Sequence, residues 1–241
     1  EVYAHGPHLA TGTFERGNLN LDEETANNAE IGIDRHHARW TWSAKLYYNR
    51  IEDYVFLRNA DDDGDGVADL VSVEGQLSGA GDDPDEALFL VDYAQAGADF
   101  HGFELETGYR LIERGPLRLD ARLFADSVRG ELRNGSNLPR ITPERFGGGF
   151  DAELGALSGS ISLTRVERQH RVAVLETETE GYALLSADLA YTLTAGDTRT
   201  TFYLRGRNLL DEEARRHTSL LKDRAPLPGV TLLAGVRIEF N

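Results

Sequence analysis

The chain has 241 residues, 40% of them hydrophobic, with 25 Lys plus Arg against 41 Asp plus Glu and a formal charge of −16. A mean hydropathy of −0.42 and the lack of a long apolar run exclude a helical membrane protein, but not a membrane β-barrel, whose strands are apolar only at alternate positions. Cys is absent, which excludes disulfides and thiol chemistry, and the acidic balance argues against a nucleic-acid partner.

Residues 1–26 read as the remnant of a loop, because no alternation is visible there and Gly and Pro interrupt it. Met is absent and no signal peptide leads the chain, which predicts a processed product or a fragment. Within this segment His5 and His8 flank a Gly-Pro step in "HGPH". Two imidazoles three residues apart can share a transition metal such as zinc if a carboxylate such as Glu15 completes the shell, although exposed loop His is the plainer reading.

From "NNAEIGID" onward, period-two alternation recurs and predicts about nine strands. In "WTWSAKLYYNRI" Trp40, Trp42, Ala44, Leu46 and Tyr48 share a face opposite Thr41, Ser43, Lys45 and Asn49. Tyr47, Tyr54 and Phe56 join these aromatics in bracketing the strand at both ends, as an interfacial girdle would. His36 and His37 fall in a short connection before this strand, and His101 opens a later one.

Residues 59–86 form a block of ten acidic residues with no Lys or Arg, predicted to be a solvated acidic loop. Inside it, "DDDGDGVAD" sets Asp61, Asp63, Asp65 and Asp69 at positions 1, 3, 5 and 9 with Gly66 at position 6. That is calcium-loop spacing, in which alternate carboxylates converge on a tight turn. Ser72 stands where a closing bidentate Glu is expected, so the alternative is an acidic loop without an ion.

The later segments repeat the alternation. Leu117, Leu119, Ala121 and Leu123 face away from Arg118, Asp120 and Arg122; Phe146, Phe150, Ala152 and Leu154 from Asp151 and Glu153. Phe202 and Leu204 face away from Arg205 and Arg207; Leu232, Ala234, Val236, Ile238 and Phe240 from Arg237 and Glu239. Connections near 36–39, 112–115, 155–156 and 194–197 are short, and those at 58–87, 133–143, 169–181 and 210–229 are long. Strict short–long alternation predicts an all-β, antiparallel up-and-down transmembrane barrel with its long loops at one end. The charged rows then line a watery lumen, because charges of both signs cannot sit in a dry core unpaired. Nine strands cannot close by themselves, since open edges in lipid would leave backbone groups unsatisfied.

At this point the residues resemble a known family. "GNLNLDEETANNAEIGI", "LRGRNLLDEEARRH" and "PLPGVTLLAGVRIEF" are similar, in that order, to the C-terminal barrel part of TonB-dependent outer-membrane receptors. "YAHGPHLATGTFERGN" and "HTSLLKDRAPLPG" look most like the branch containing zinc-uptake receptors, some relatives being linked to heme or siderophores. Val230, Ala214 and Asn241 depart from the family pattern. The resemblance implies a barrel of roughly 22 strands around a plug, of which this chain over 1–241 would be part of the wall. It further implies the outer membrane of a Gram-negative bacterium and active uptake of a metal or metal chelate. Its partners would be membrane lipid, the absent plug and upstream strands, the TonB energy-coupling complex reached through that plug, and a barrel-assembly machinery that reads Ile238 and Phe240. Calcium is a candidate ligand and zinc a candidate substrate. No nucleophile elbow, phosphate loop or metal-hydrolase motif is present, so no enzyme is expected. Two alternatives remain: a passive porin-like channel and a soluble calcium-binding β module.

Overall fold

The computed structural model describes residues 2–37, 39–78 and 87–240; Glu1, Ala38, the 79–86 part of the acidic loop and Asn241 lie outside them. Twelve strands lie among the described residues: β1 (His5–His8), β2 (Thr13–Arg16), β3 (Thr25–His37), β4 (Trp40–Asn59), β5 (Leu70–Val71), β6 (Leu88–Arg114), β7 (Leu117–Leu132), β8 (Arg145–Leu154), β9 (Leu157–Val166), β10 (Tyr182–Ala195), β11 (Thr198–Arg207) and β12 (Thr231–Phe240). Among the described residues there is no helix.

Nine of these strands form the wall. β3 pairs with β4, β4 with β6, and β6 through β12 each with the next, all antiparallel. The outer edges of β3 and β12 pair with no other strand among the described residues, so the sheet is open.

Register carries the two-sidedness from strand to strand. Phe150 lies opposite Ala121 and Ile161, Ile161 opposite Ala187, Leu189 opposite Leu204, and Phe202 opposite Val236. A one-residue slip anywhere would turn that row to the other face. Most large members of the row are exposed, among them Leu46, Leu123, Phe150, Leu189, Leu204 and Val236. An exposed apolar surface spanning nine strands far exceeds what a water-soluble monomer leaves uncovered, and it matches the lipid-facing band of a transmembrane barrel.

The opposite face carries cross-strand ion pairs: Lys45–Glu104 at 4.0 Å, Arg110–Asp120 at 3.0 Å, Arg122–Asp151 at 2.8 Å, Arg145–Asp126 at 3.0 Å and Arg207–Asp188 at 3.0 Å. Aromatic side chains on it also cover strand glycines. Tyr47 covers Gly102, Phe124 covers Gly147 and Tyr203 covers Gly235, each where an added Cβ would collide with the ring or its hydroxyl. Aromatic cover of a strand glycine restores packing that the missing side chain gives up.

Three of the short turns use the same chemistry. Gly115, Gly155 and Gly196 each take φ of 56–60° at the first of two turn residues, the position that requires positive φ in this hairpin type. At the other end the connections are long, as the loop-length alternation predicts.

The core sits at one end of the wall, where the long connections pack on the ends of β6, β9 and β10. One buried cluster is Phe14, Ala60, Val71, Leu88 and Leu90; a second is Val166, Tyr182 and Ala214, with Leu184 and Leu227 packed on it. β2 runs parallel to β6 with Thr13 opposite Phe89, on the edge of β6 that β7 joins only from Ala98 onward. β5 pairs with β6 at Phe89 and Leu88.

Several expectations change. The 1–26 segment holds a paired hairpin, β1–β2, and the beginning of β3 rather than only loop. His36 and His37 end β3 opposite Thr41 and Trp40 instead of forming the turn, and His101 lies inside the 27-residue β6 instead of opening a strand. Tyr47 faces inward. A bulge between Ile51 and Tyr54, with Asp53 at φ 54°, re-aims the end of β4, so Tyr54 packs edge-on against Phe100 at 5.2 Å rather than joining a girdle.

If the apolar row meets hydrocarbon, Leu189→Arg should lower barrel stability by about 2–4 kcal/mol in urea unfolding from lipid vesicles. Ser162→Arg, on the charged face between Gly149 and Ser186, should change it by less than about 1 kcal/mol.

Candidate functional site

The long connections fold onto one another and onto the β1–β2 hairpin. Arg16 joins the acidic turn to β6, donating to Asp62 at 2.6 and 3.0 Å and to Asp92 at 2.6 Å, and it holds the Asp62 carboxyl below its usual range. Asn59 Nδ2 donates to Leu175 O at 2.8 Å, Gln169 Nε2 to Ile141 O at 3.0 Å, and Thr177 Oγ1 to Asp223 at 2.8 Å. The Arg224 guanidinium lies over the Phe89 ring at 5.0 Å. Loops tied by this many long-range contacts form a folded cap instead of four independent tethers.

A buried polar cluster centres the cap. Glu176 Oε1 accepts from Arg140 N at 2.9 Å and Lys222 Nζ at 3.0 Å, while Oε2 accepts from Ala173 N at 3.0 Å. His217 Nε2 stands 3.2 Å from the same Oε1, within ion-pair range but off the axis of a good hydrogen bond, so this nitrogen has no aligned partner. Its Nδ1 meets Thr179 Oγ1 at 3.0 Å, and Lys222 Nζ also donates to Thr177 O at 2.7 Å. Lys222 and His217 are almost wholly buried, at 5% and 2% exposure. Burial alone would raise the Glu176 carboxyl, but His217, the Ala173 amide, Lys222 and the Arg140 amide outweigh it and hold it at about 2.

Beside this cluster a cleft of about 350 Å³ opens between the acidic turn, the 175–177 stretch and the 219–223 stretch. Leu70, Phe89, Leu175 and Leu220 give it apolar walls, and Arg140, Glu176, Lys222 and Asp223 are among its polar lining. A volume of this size suits a small molecule.

Of the sequence-predicted metal residues, Asp61, Asp63 and Asp65 come together, one carboxylate oxygen of each lying within 4.8 Å of the others. Asp61 also accepts from the amides of Asp65 and Gly66 at 3.1 Å. Asp69 is not part of the group: it is buried, and its Oδ2 accepts the Asp62 amide at 2.6 Å. His5 and His8 are not brought together either. In the extended β1, residues three apart face opposite sides, so His5 packs edge-on against Phe14 at 5.5 Å while His8 lies 3.5 Å from Glu15. His170 is exposed, and His217 is inside the buried cluster. Ile238 and Phe240 stand exposed on the apolar face of β12.

Sequence reasoning missed Arg140, Glu176 and Lys222. They are scattered over three connections and carry no local spacing signal.

An open, two-faced antiparallel wall with long loops gathered at one end defines a section of an outer-membrane-type β-barrel. The chain belongs to the TonB dependent receptor-like, beta-barrel family, whose model matches residues 1–209. Its fold is similar to that of the copper transporter OprC, at 18% identity and a TM-score of 0.67 over 98% of this chain and 34% of that one. It is also similar to the siderophore receptor PirA from Acinetobacter baumannii (16% identity, TM-score 0.57, 95% and 33% covered). A third is the FrpB iron transporter from Neisseria meningitidis (12% identity, TM-score 0.59, 93% and 32% covered). The chain thus spans about a third of the length of each of these proteins.

Because the folded Glu176 carboxyl lies at about 2 against 4.5 for an ordinary Glu, its contribution to cap stability is complete above pH 4.5 and disappears as pH falls toward 2. Limited acid proteolysis should therefore show the 167–181 connection opening across that window, and Glu176→Gln should flatten the dependence.

Proposed function

We propose that this chain is barrel wall and outer loops of a TonB-dependent receptor in the outer membrane of a Gram-negative bacterium, taking up a metal or a metal chelate. Family membership over 1–209, joined to the nine-strand apolar exterior, carries this reading. The named similar proteins are a copper transporter, a siderophore receptor and an iron transporter, which supports metal cargo in one form or another. Zinc as bare cargo has less support, since the β1 hairpin offers one imidazole, His8, beside Glu15 instead of a convergent pair. In this reading the wall performs no chemistry. It encloses a plug contributed by other sequence, and an energised periplasmic partner acts through that plug. Closure of the wall would come from strands pairing with the free edges of β3 and β12. Ile238 and Phe240 would serve as the assembly signal.

Uptake of radiolabelled metal chelates by cells making the whole receptor should fall to background when the energy-coupling partner is deleted. Uptake that persists unchanged would favour the porin-like alternative. A chain that purifies as a monomer without detergent would favour the soluble β module.

For the acidic turn we propose calcium, with Asp61, Asp63 and Asp65 as ligands and Asp69 as an internal brace. Adding calcium should slow proteolysis between residues 59 and 78, and equal cleavage in calcium and in chelator would contradict it.

A further inference from the structure

Of the two cations among the described residues that line the cleft, Lys222 pairs with Glu176 and Arg140 has no carboxylate in contact. Arg140 lines the cleft, and its guanidinium makes one hydrogen bond, from Nη2 to Leu57 O at 2.7 Å. Among the described residues it forms no ion pair. Glu176 attracts it from beyond contact, but that carboxylate is already held by Lys222 Nζ, by His217 and by two backbone amides, one of them that of Arg140 itself. Arg keeps its charge at any ordinary pH, and at this part-buried position an anion is the partner that offsets that charge best. Burial accordingly pushes its pKa down.

The backbone marks the same place. Arg140 and Leu175 both line the cleft and both take left-handed φ, 57° and 64°. Such conformations in bulky residues cost about 1–3 kcal/mol each and persist where surrounding structure enforces them, often at ligand sites.

We propose that the cleft binds a small organic monoanion with an apolar body, its carboxylate held by Arg140 and its body by Leu70, Phe89, Leu175 and Leu220. A single charge is specified because, among the described residues, Arg140 is the one guanidinium that lines the cleft, while Asp223 in the same lining repels further negative charge. The volume suits one such molecule. The inference rests on the uptake reading only in naming the cargo: a metal carried by a carboxylate-bearing organic ligand, first met at the loops. The cleft itself stands without that reading.

Calorimetry on the full-length receptor in detergent, with 4-iodobenzoate and 4-iodobenzamide as probes, tests this. The benzoate should bind at least about tenfold more tightly than the uncharged amide, and Arg140→Ala should remove at least that factor. Arg140→Asn, which tolerates left-handed φ, should do the same with the barrel still intact by its heat-dependent shift on a gel. Arg205→Ala, on the wall face, should leave binding unchanged. The proposal is overturned if benzoate and amide bind equally, if both Arg140 variants bind benzoate like the parent, or if no binding registers at about 10 mM, where even a fragment-sized ligand should be seen. Those outcomes leave energy-dependent uptake untouched, whereas uptake lost as the reading while benzoate binding survives would remove the cargo and keep the cleft.

Discussion

In hydrocarbon an unpaired backbone N–H or C=O has no water to turn to, and the wall of this protein is a response to that constraint. Antiparallel pairing from β3 to β12 satisfies the strand interiors by joining each strand to the next. Once pairing is obligatory, register decides which face each side chain meets. The rows Phe150–Ile161–Ala187 and Phe202–Val236 hold one environment across successive strands. Glycine turns of two residues keep that register without slack, and the ion pairs on the opposite face need only water to be tolerable. Such exposed pairs contribute little stability each, so they mark a wet surface more than they hold the wall together.

The cap obeys the opposite rule. It lies beyond the strands' apolar band, where ordinary burial drives folding, and both buried apolar clusters are found there. Glu176, Lys222 and His217 are removed from water together, which is tolerable because nearly every donor and acceptor is matched. The unaligned His217 nitrogen and the unmatched Arg140 charge are the exceptions, and both adjoin the place where the loops converge. A cap braced in this way holds its cleft in one shape, which lowers the ordering cost of any ligand it takes.

How much of this was legible in the sequence follows the same division. The wall was readable because lipid on one side and water on the other impose a period of two that survives residue by residue, as in Leu232 to Phe240. The loop-length alternation supplied the topology. The cap was not readable, because its contacts join residues far apart, such as Glu176 with Lys222 and Asn59 with Leu175, and no local pattern encodes them. β1 escaped notice since Gly6 and Pro7 read as a turn, although Pro is admissible on a short edge strand. Calcium spacing foresaw three convergent carboxylates but not that Asp69 would be drawn beneath the loop by the Asp62 amide. The bulge after Ile51 re-aimed Tyr54, a change that alternation cannot signal.

The central claim is that alternate residues of one strand meet lipid and water. Single cysteines can be placed along β10 from Leu185 to Thr192 in the receptor reconstituted into lipid, in a background cleared of any other Cys; this chain itself has none. Fluorophores at 185, 187, 189 and 191 should be quenched by brominated lipid, and thiols at 186, 188, 190 and 192 should react with a charged reagent from the aqueous side. Uniform reactivity along the strand, or quenching without alternation, would contradict the account.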